Sequence, residues 1–259
     1  MSYRLHIPNT LDQAIESQRK TNGTYIAAGT VILVNHRHAE DLISLEKIPG
    51  LSAISDEGDA IRIGSLATFD DIEKSQCIRK NLSALWQAAY ETAGPQIRHR
   101  ATIGGNIGCF SPASDAVTAL VALDAEVEVY DGSVHQIPIE KLTELKDGAI
   151  ITSVLVPKRF NFSTFEKVGK RNAMSVSVLN MAVAKSGSEF RVAVGCASPK
   201  VIFCKMTSDI LSKDPGAIEK AKSALVSEMH PIEDRWGTVK YRLEVGKNLL
   251  SKLVKEAQR

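Results

Sequence analysis

The hydrophobic pattern of this chain changes character at Lys158 to Ser163, and that break constrains the fold more than any single motif. Before it, short apolar strands alternate with short helices and glycine turns. After it, three strands follow one another at Phe165 to Val168, Val176 to Ala184 and Phe190 to Gly195, with Gly187-Ser188 turning the last two. Helical periodicity then takes over at Ala217 to Met229 and Trp236 to Lys255. Strands in sequence followed by helices predict an antiparallel sheet with helices packed on it, an α+β unit. A length of 259 residues is enough for two units, each with its own core. The expected domains are residues 1–158 and 162–259.

Within the first part, Leu11 to Lys20 reads as an amphipathic helix capped by Thr10. The spacing predicts a strand at Tyr25-Ile26-Ala27-Ala28 running into Gly29-Thr30, then the apolar stretch Val31 to Val34. Asp41 to Leu45 is a further strand. Leu51 to Ile54 and Ile61 to Gly64 form a pair turned at Asp56 to Asp59. Thr68 caps a helix starting at Phe69. The best helical period is at Asn81 to Thr92, where Leu82, Leu85, Trp86 and Ala89 recur on one face until Gly94-Pro95 breaks it. Arg98 to Cys109 carries almost no helix or strand signal, and Ser114 to Leu123 returns to helix. Ala125 to Tyr130 and Val134 to Ile137 form a hairpin at Asp131-Gly132, and Ile150 to Val156 is a strand ended by Pro157.

The segment Thr102-Ile103-Gly104-Gly105-Asn106 is the strongest candidate for a binding site. Adjacent glycines can take positive φ and let a phosphate approach the backbone. Thr102 offers a hydroxyl and Asn106 an amide. An isolated Gly-Gly is more often a tight turn. Here basic residues precede it at Arg98-His99-Arg100, and Asp115, at a helix start, suits a ribose hydroxyl or simply favours the helix dipole. The pattern is not GxGxxG after a βαβ strand, and no GxxxxGK[ST] appears, so a Rossmann site and a P-loop are disfavoured.

Other chemistries find little support. The cysteines Cys77, Cys109, Cys196 and Cys204 share no CxxC spacing, so this chain does not hold an iron–sulfur cluster or zinc site by itself. His36 and His38 share a strand face if extended but lack a third ligand, and a solvated edge is the simpler reading; no metal residues are assigned. No GxSxG, HExxH or Cys/His nucleophile arrangement appears, and no catalytic side chain is assigned. That suits a flavin, which brings its own redox chemistry. A formal net charge of +2, from 32 basic and 30 acidic side chains, gives no electrostatic case for nucleic acid or an anionic membrane. A polar N-terminus without an apolar core, free thiols, and no apolar run near the roughly 20 residues of a membrane span predict a cytoplasmic protein.

Four segments together resemble the FAD-binding (medium) subunit of molybdenum hydroxylases, the family of xanthine dehydrogenase and carbon monoxide dehydrogenase flavoproteins. They are Ala27-Ala28-Gly29-Thr30, Thr92 to Arg98, Ala101 to Ile107, and Ser111-Pro112-Ala113-Ser114-Asp115. The likeness covers nearly the whole chain and is most specific at Ala93 to Asp115. It implies a FAD-binding domain of the vanillyl-alcohol-oxidase (PCMH) type, two α/β subdomains at about 1–55 and 56–158, followed by an α+β C-terminal domain with a three-stranded antiparallel sheet and helices.

Carried over residue by residue, the resemblance assigns Ile26, Ala27, Ala28, Gly29, Thr30, Val31, Ile32 and Leu33 to a first pyrophosphate loop. Thr102, Ile103, Gly104, Gly105 and Asn106 form the second. Asp115 bonds the adenosine end, Thr92 and Ile151 line the cofactor, and Lys167 lies beside the flavin or its phosphates. The first loop departs from the family pattern, similar to Ala-Gly-Gly-Thr-Asp-Leu, in having Ala28 for the first Gly and Val31 for the Asp.

The implied function is electron transfer in a multi-subunit enzyme. A large subunit carries molybdopterin, a small one carries 2Fe-2S centres, and FAD on this chain passes electrons to NAD or another acceptor. Two other readings stand beside it: a scaffold of the same fold without flavin, and a free-standing FAD oxidoreductase. Substrate contacts would lie on the molybdenum subunit, so nothing here selects among xanthine, nicotinate, an aldehyde or carbon monoxide.

Overall fold

The structure, a computed structural model, describes residues 3–34, 40–142, 145 and 148–259. The pair His36 and His38 lies outside the described residues.

The chain begins with three parallel strands in the order β1-β3-β2. They are β1 (Arg4–His6), β2 (Thr24–Ile26) and β3 (Asp41–Ser44), with α1 (Leu11–Thr21) between the first two. The Thr10 hydroxyl accepts from Gln13 N–H, and Asn22 ends the helix in a left-handed conformation, as its short polar side chain permits. Asp41 takes Arg4 and His6 across the β1–β3 pair. A small core forms from Ala14, Ile15, Ile43, Leu45, Ile48 and Leu51. The second strand stops at Ile26, two residues short of the expected Ala28, because the chain turns at Gly29 (φ +70°) and Leu33 N–H closes back onto Gly29 C=O.

A five-stranded antiparallel sheet comes next. Its strands are β4 (Ile54–Asp56), β5 (Ala60–Gly64), β6 (Glu126–Tyr130), β7 (Val134–Pro138) and β8 (Ile150–Pro157), ordered β4-β5-β8-β6-β7. Ile150 of β8 also packs into the core of the first sheet. Between β5 and β6 lie α2 (Phe69–Lys74), α3 (Gln76–Asn81), α4 (Ser83–Glu91), α5 (Pro95–Arg98), α6 (Ile103–Gly108) and α7 (Asp115–Ala122). Thr68 and Asp71 form a reciprocal capping box at α2.

The helix expected at Asn81 to Thr92 is α4, which starts two residues later at Ser83 because Leu82, fully buried, stands outside helical geometry between α3 and α4. One expectation changes here. The expected irregular stretch Arg98 to Cys109 contains helix α6. Gly104 and Gly105 both have low helix propensity, about 1 kcal/mol below alanine each, which hides the helix from periodicity. Tertiary partners supply what propensity lacks: Thr102 caps the helix, and Ile103 and Gly104 N–H donate to the carbonyls of Ala67 and Ser65.

The C-terminal sheet contains the three expected strands, β9 (Phe162–Gly169), β10 (Ser177–Ser186) and β11 (Glu189–Gly195). A two-residue edge strand, β12 (Ile202–Phe203), extends it in the order β12-β11-β10-β9. One face carries Leu179, Met181, Val183, Val192 and Val194, covered by α8 (Lys205–Lys213), α9 (Ile218–Glu228) and α10 (Val239–Ala257). The other presents Ala182, Ala184, Ala193 and Phe165 to the larger N-terminal core. Small side chains there let α4 and α7 approach closely. Coverage on both faces explains the nearly unbroken apolar run of β10.

Cys196 and Cys204 are buried, and burial pushes the Cys196 thiol up to about 12 and that of Cys204 well above its usual value. Cys109 is exposed. At neutral pH, iodoacetamide is expected to label Cys109 in the folded chain and leave Cys196 and Cys204 unmodified until denaturant is added; mass spectrometry of the peptides reads this directly.

Candidate cofactor site

Of the two expected loops, the first is better provided with backbone donors. Gly29 in left-handed geometry turns the chain so that the N–H groups of Gly29, Thr30, Val31 and Ile32 donate to no acceptor among the described residues. Successive free amides beside a left-handed residue make an anion-binding concavity. Side chains contribute nothing polar at Val31, which is 46% exposed, or at Leu33. Ala28 keeps negative φ, so its Cβ brings no backbone strain where the family pattern has Gly.

The second segment is a helix N-terminus rather than a loop. Its glycines have negative φ, contrary to the expected positive values. Its first-turn amides are already used: Ile103 N–H on Ala67 C=O, Gly104 N–H on Ser65 C=O, Gly105 N–H on Thr102 Oγ1. What faces outward is Gly105, which is exposed, together with Gly108 and Cys109. Gly104 is buried, and a Cβ there would lie 2.6 Å from Ser65 Cβ and 2.8 Å from Ser65 C=O. Ile151 of β8 is buried beneath the helix, its Cδ1 3.9 Å from where a Cβ on Gly108 would be.

Two buried polar atoms at this helix, Asn106 Oδ1 and Ser65 Oγ, have no partner among the described residues. Unpaired buried acceptors and hydroxyls are costly and point to a ligand that completes them. Ser65 was not a sequence candidate. It follows Gly64 at the end of β5, and only the docking of α6 on residues 65–67 reveals it. Leu66 packs on the core of the first sheet while Ser65 and Ala67 hold α6, so one short segment joins α6 to the core of the first sheet.

Thr92, Asp115 and Lys167 lie in a second group of contacts. Thr92 is the C-cap of α4, and its hydroxyl donates to Ala88 C=O. Cations satisfy the free carbonyls of that helix end: Lys167 bonds Glu91 C=O, and Arg98 bonds those of Thr92 and Ala93. Asp115 is 7% exposed, and its carboxylate accepts from Ser177 Oγ (2.6 Å), Asn180 Nδ2 (2.7 Å) and Lys167 Nζ (2.8 Å). Asp115 in this structure thus joins α7 to the C-terminal sheet. Ser177 and Asn180 were missed as site residues, and nothing in their local sequence distinguishes them; Arg98, noted only as part of a basic run and a family segment, serves the end of α4.

The residues present fit a dinucleotide flavin. The free amides suit a pyrophosphate, Asn106 Oδ1 and Ser65 Oγ lack partners, and apolar side chains at Val31, Leu33, Phe110, Met174 and Val176 are exposed. No group of three or more His, Cys, Asp or Glu that could hold a metal occurs among the described residues.

A parallel three-stranded subdomain joined to a five-stranded antiparallel one, with an α+β unit after them, is the architecture of a PCMH-type flavoprotein subunit. Residues 1–159 match the family described as the FAD binding domain in molybdopterin dehydrogenase, and residues 164–257 match the CO dehydrogenase flavoprotein C-terminal domain. The chain belongs to this family of FAD subunits of oxidoreductases. It is 30% identical over 250 residues to the nicotinate dehydrogenase FAD-subunit of Eubacterium barkeri, covering 86% of this chain and 84% of that protein. It is 27% identical over 257 residues to the xanthine dehydrogenase FAD-binding subunit of Escherichia coli O157:H7, covering 90% and 87%. The fold is that of the carbon monoxide dehydrogenase of Hydrogenophaga pseudoflava, with a TM-score of 0.92 at 22% identity over 98% of this chain and 96% of that one.

Proposed function

We propose that this chain holds FAD as the electron-transfer subunit of a molybdenum hydroxylase. The observation that carries the reading is the row of amides at Gly29 to Ile32 that meet no acceptor among the described residues, beside a left-handed glycine, in a chain whose Asn106 Oδ1 is buried without a partner among them. Within the loop of residues 26–33, the amides of Gly29 to Ile32 would hold the pyrophosphate, with Thr102 to Asn106 supplying a side-chain-free surface at Gly105 and the side-chain amide of Asn106. Thr92, Ile151, Asp115 and Lys167 would shape the walls. The division into domains at 1–158 and 162–259 and a cytoplasmic location belong to the same reading. Among the described residues no helix is long and apolar enough to cross a membrane.

FAD held by Gly29 to Ile32 and the Thr102–Asn106 segment would supply the redox chemistry between 2Fe-2S centres of a small subunit and NAD or another acceptor. Molybdopterin and the substrate would lie on a large subunit. Relatives named as FAD-subunit or medium chain support this division of labour. This chain's own groups bind and orient.

Adding FAD to the purified chain is expected to give a yellow complex. At FAD a hundredfold above Kd, stability rises by about 2.7 kcal/mol, seen as a raised thermal midpoint. A chain that stays colourless, with no thermal shift, favours the flavin-free scaffold. The internally satisfied amides of α6 are the observation behind that rival. Co-purification with two partner chains would dispose of the free-standing oxidoreductase.

A further inference from the structure

Among the described residues six non-glycine residues have left-handed backbone, and Ala93 (φ 48°) and Met174 (φ 53°) are two of them. Such residues are strained and persist only where their surroundings hold them. The segments around them approach each other: Met174 Sδ lies 3.3 Å from where a Cβ on Gly94, the residue after Ala93, would be. Both are tied to one ammonium. Lys167 Nζ donates to Glu91 C=O (2.6 Å), two residues before Ala93, and to Ser175 C=O (3.1 Å), the residue after Met174. Its third proton goes to Asp115 Oδ2. An ammonium has three donors, so Lys167 has none left for a ligand.

The ammonium is held in turn from the C-terminal sheet. Lys167, Asn180 and Gly195 are aligned across β9, β10 and β11. Asn180 is fully buried; it donates to Asp115 Oδ1 and accepts from Thr118 Oγ1 (2.8 Å). Gly195 makes room for it, since a Cβ there would lie 2.1 Å from Asn180 Oδ1. Ser177 adds the second donor to Asp115 Oδ1. A buried ion pair with this many satisfied partners is better read as fixing geometry than as adding stability.

We infer that Asn180 and Ser177 are positioning residues for the flavin cleft: through Asp115 and Lys167 they hold the strained Ala93 and Met174 segments in their binding conformation. The inference rests on the flavin reading above. It makes cofactor affinity in the N-terminal part depend on two residues of the C-terminal sheet, which reach the proposed cofactor site through Asp115 and, for Asn180, through its strand neighbour Lys167.

The test uses the full chain and FAD titration by flavin fluorescence, with far-UV circular dichroism to confirm folding. Asn180→Leu, close in volume, is expected to weaken FAD about tenfold, and Ser177→Ala, the milder variant, about threefold, the sizes set by loss of one hydrogen bond to a charged group. Adding Ala93→Gly and Met174→Gly to Asn180→Leu is expected to recover most of the lost affinity, because glycine holds left-handed geometry without the clamp. A merely structural role for Asn180 predicts no such recovery. Wild-type affinity in a folded Asn180→Leu chain overturns the proposal, as does a loss that the glycines leave unchanged. If Asn180→Leu does not fold, Ser177→Ala with and without the glycines decides by the same criteria. A wild-type chain that does not bind FAD removes the flavin reading, and this inference with it, in the first arm of the experiment.

Discussion

Gly105→Phe is expected to abolish FAD binding, weakening it by at least about a hundredfold, or about 2.7 kcal/mol, without loss of folding. Gly105 is exposed in the first turn of α6, its φ is negative, and the nearest atom to an added Cβ is the rotatable hydroxyl of Thr102 at 3.0 Å. Replacing a helical glycine there recovers several tenths of a kcal/mol of helix propensity, so the thermal midpoint of the apo chain should hold or rise slightly. The ring would cover the surface by which the second segment meets the cofactor. Differential scanning fluorimetry with and without FAD separates the outcomes. An unchanged midpoint with an FAD-dependent shift like that of the wild type would show that this surface does not meet the flavin.

Gly104→Ala, one residue earlier, is expected to act through stability instead. Its Cβ would lie 2.6 Å from Ser65 Cβ and 2.8 Å from Ser65 C=O, and that segment cannot yield easily. Ser65 N–H is bonded to Thr152 C=O, and Ser65 C=O accepts from Gly104 N–H. Overpacking against fixed backbone costs about 2–3 kcal/mol, or a fall of roughly 5–10 °C in the thermal midpoint for a domain of this size. FAD affinity falls with it, since displacing α6 moves Asn106. A midpoint within a degree of the wild type would mean that α6 does not dock on Ser65 as described.

The contrast between these neighbours shows where sequence reasoning reached its limit. Thr102 to Asn106 was legible as a special segment because it combines glycines, a hydroxyl and an amide. That the glycines are helical was not legible, since both disfavour helix and their conformation is set by carbonyls at Ser65 and Ala67, more than 35 residues earlier. The first loop was the weaker candidate by sequence, with Ala28 and Val31 departing from the family pattern. In the structure it carries the free amides, and backbone donors do not depend on which side chains accompany them.

Local composition and periodicity were sufficient for the capped helices at Thr10 and Thr68, the hairpin at Asp131-Gly132 and the three main strands of the C-terminal sheet. Each is a matter of neighbouring residues: an oxygen three positions before an amide, or alternation along a strand. Asp115, by contrast, looked like a cofactor ligand because a carboxylate at a helix start suits a ribose. Only tertiary structure decided that it accepts from Ser177, Asn180 and Lys167 across the contact between α7 and the sheet. A buried charge takes whichever donors the packing brings to it, and those lie 52 to 65 residues away.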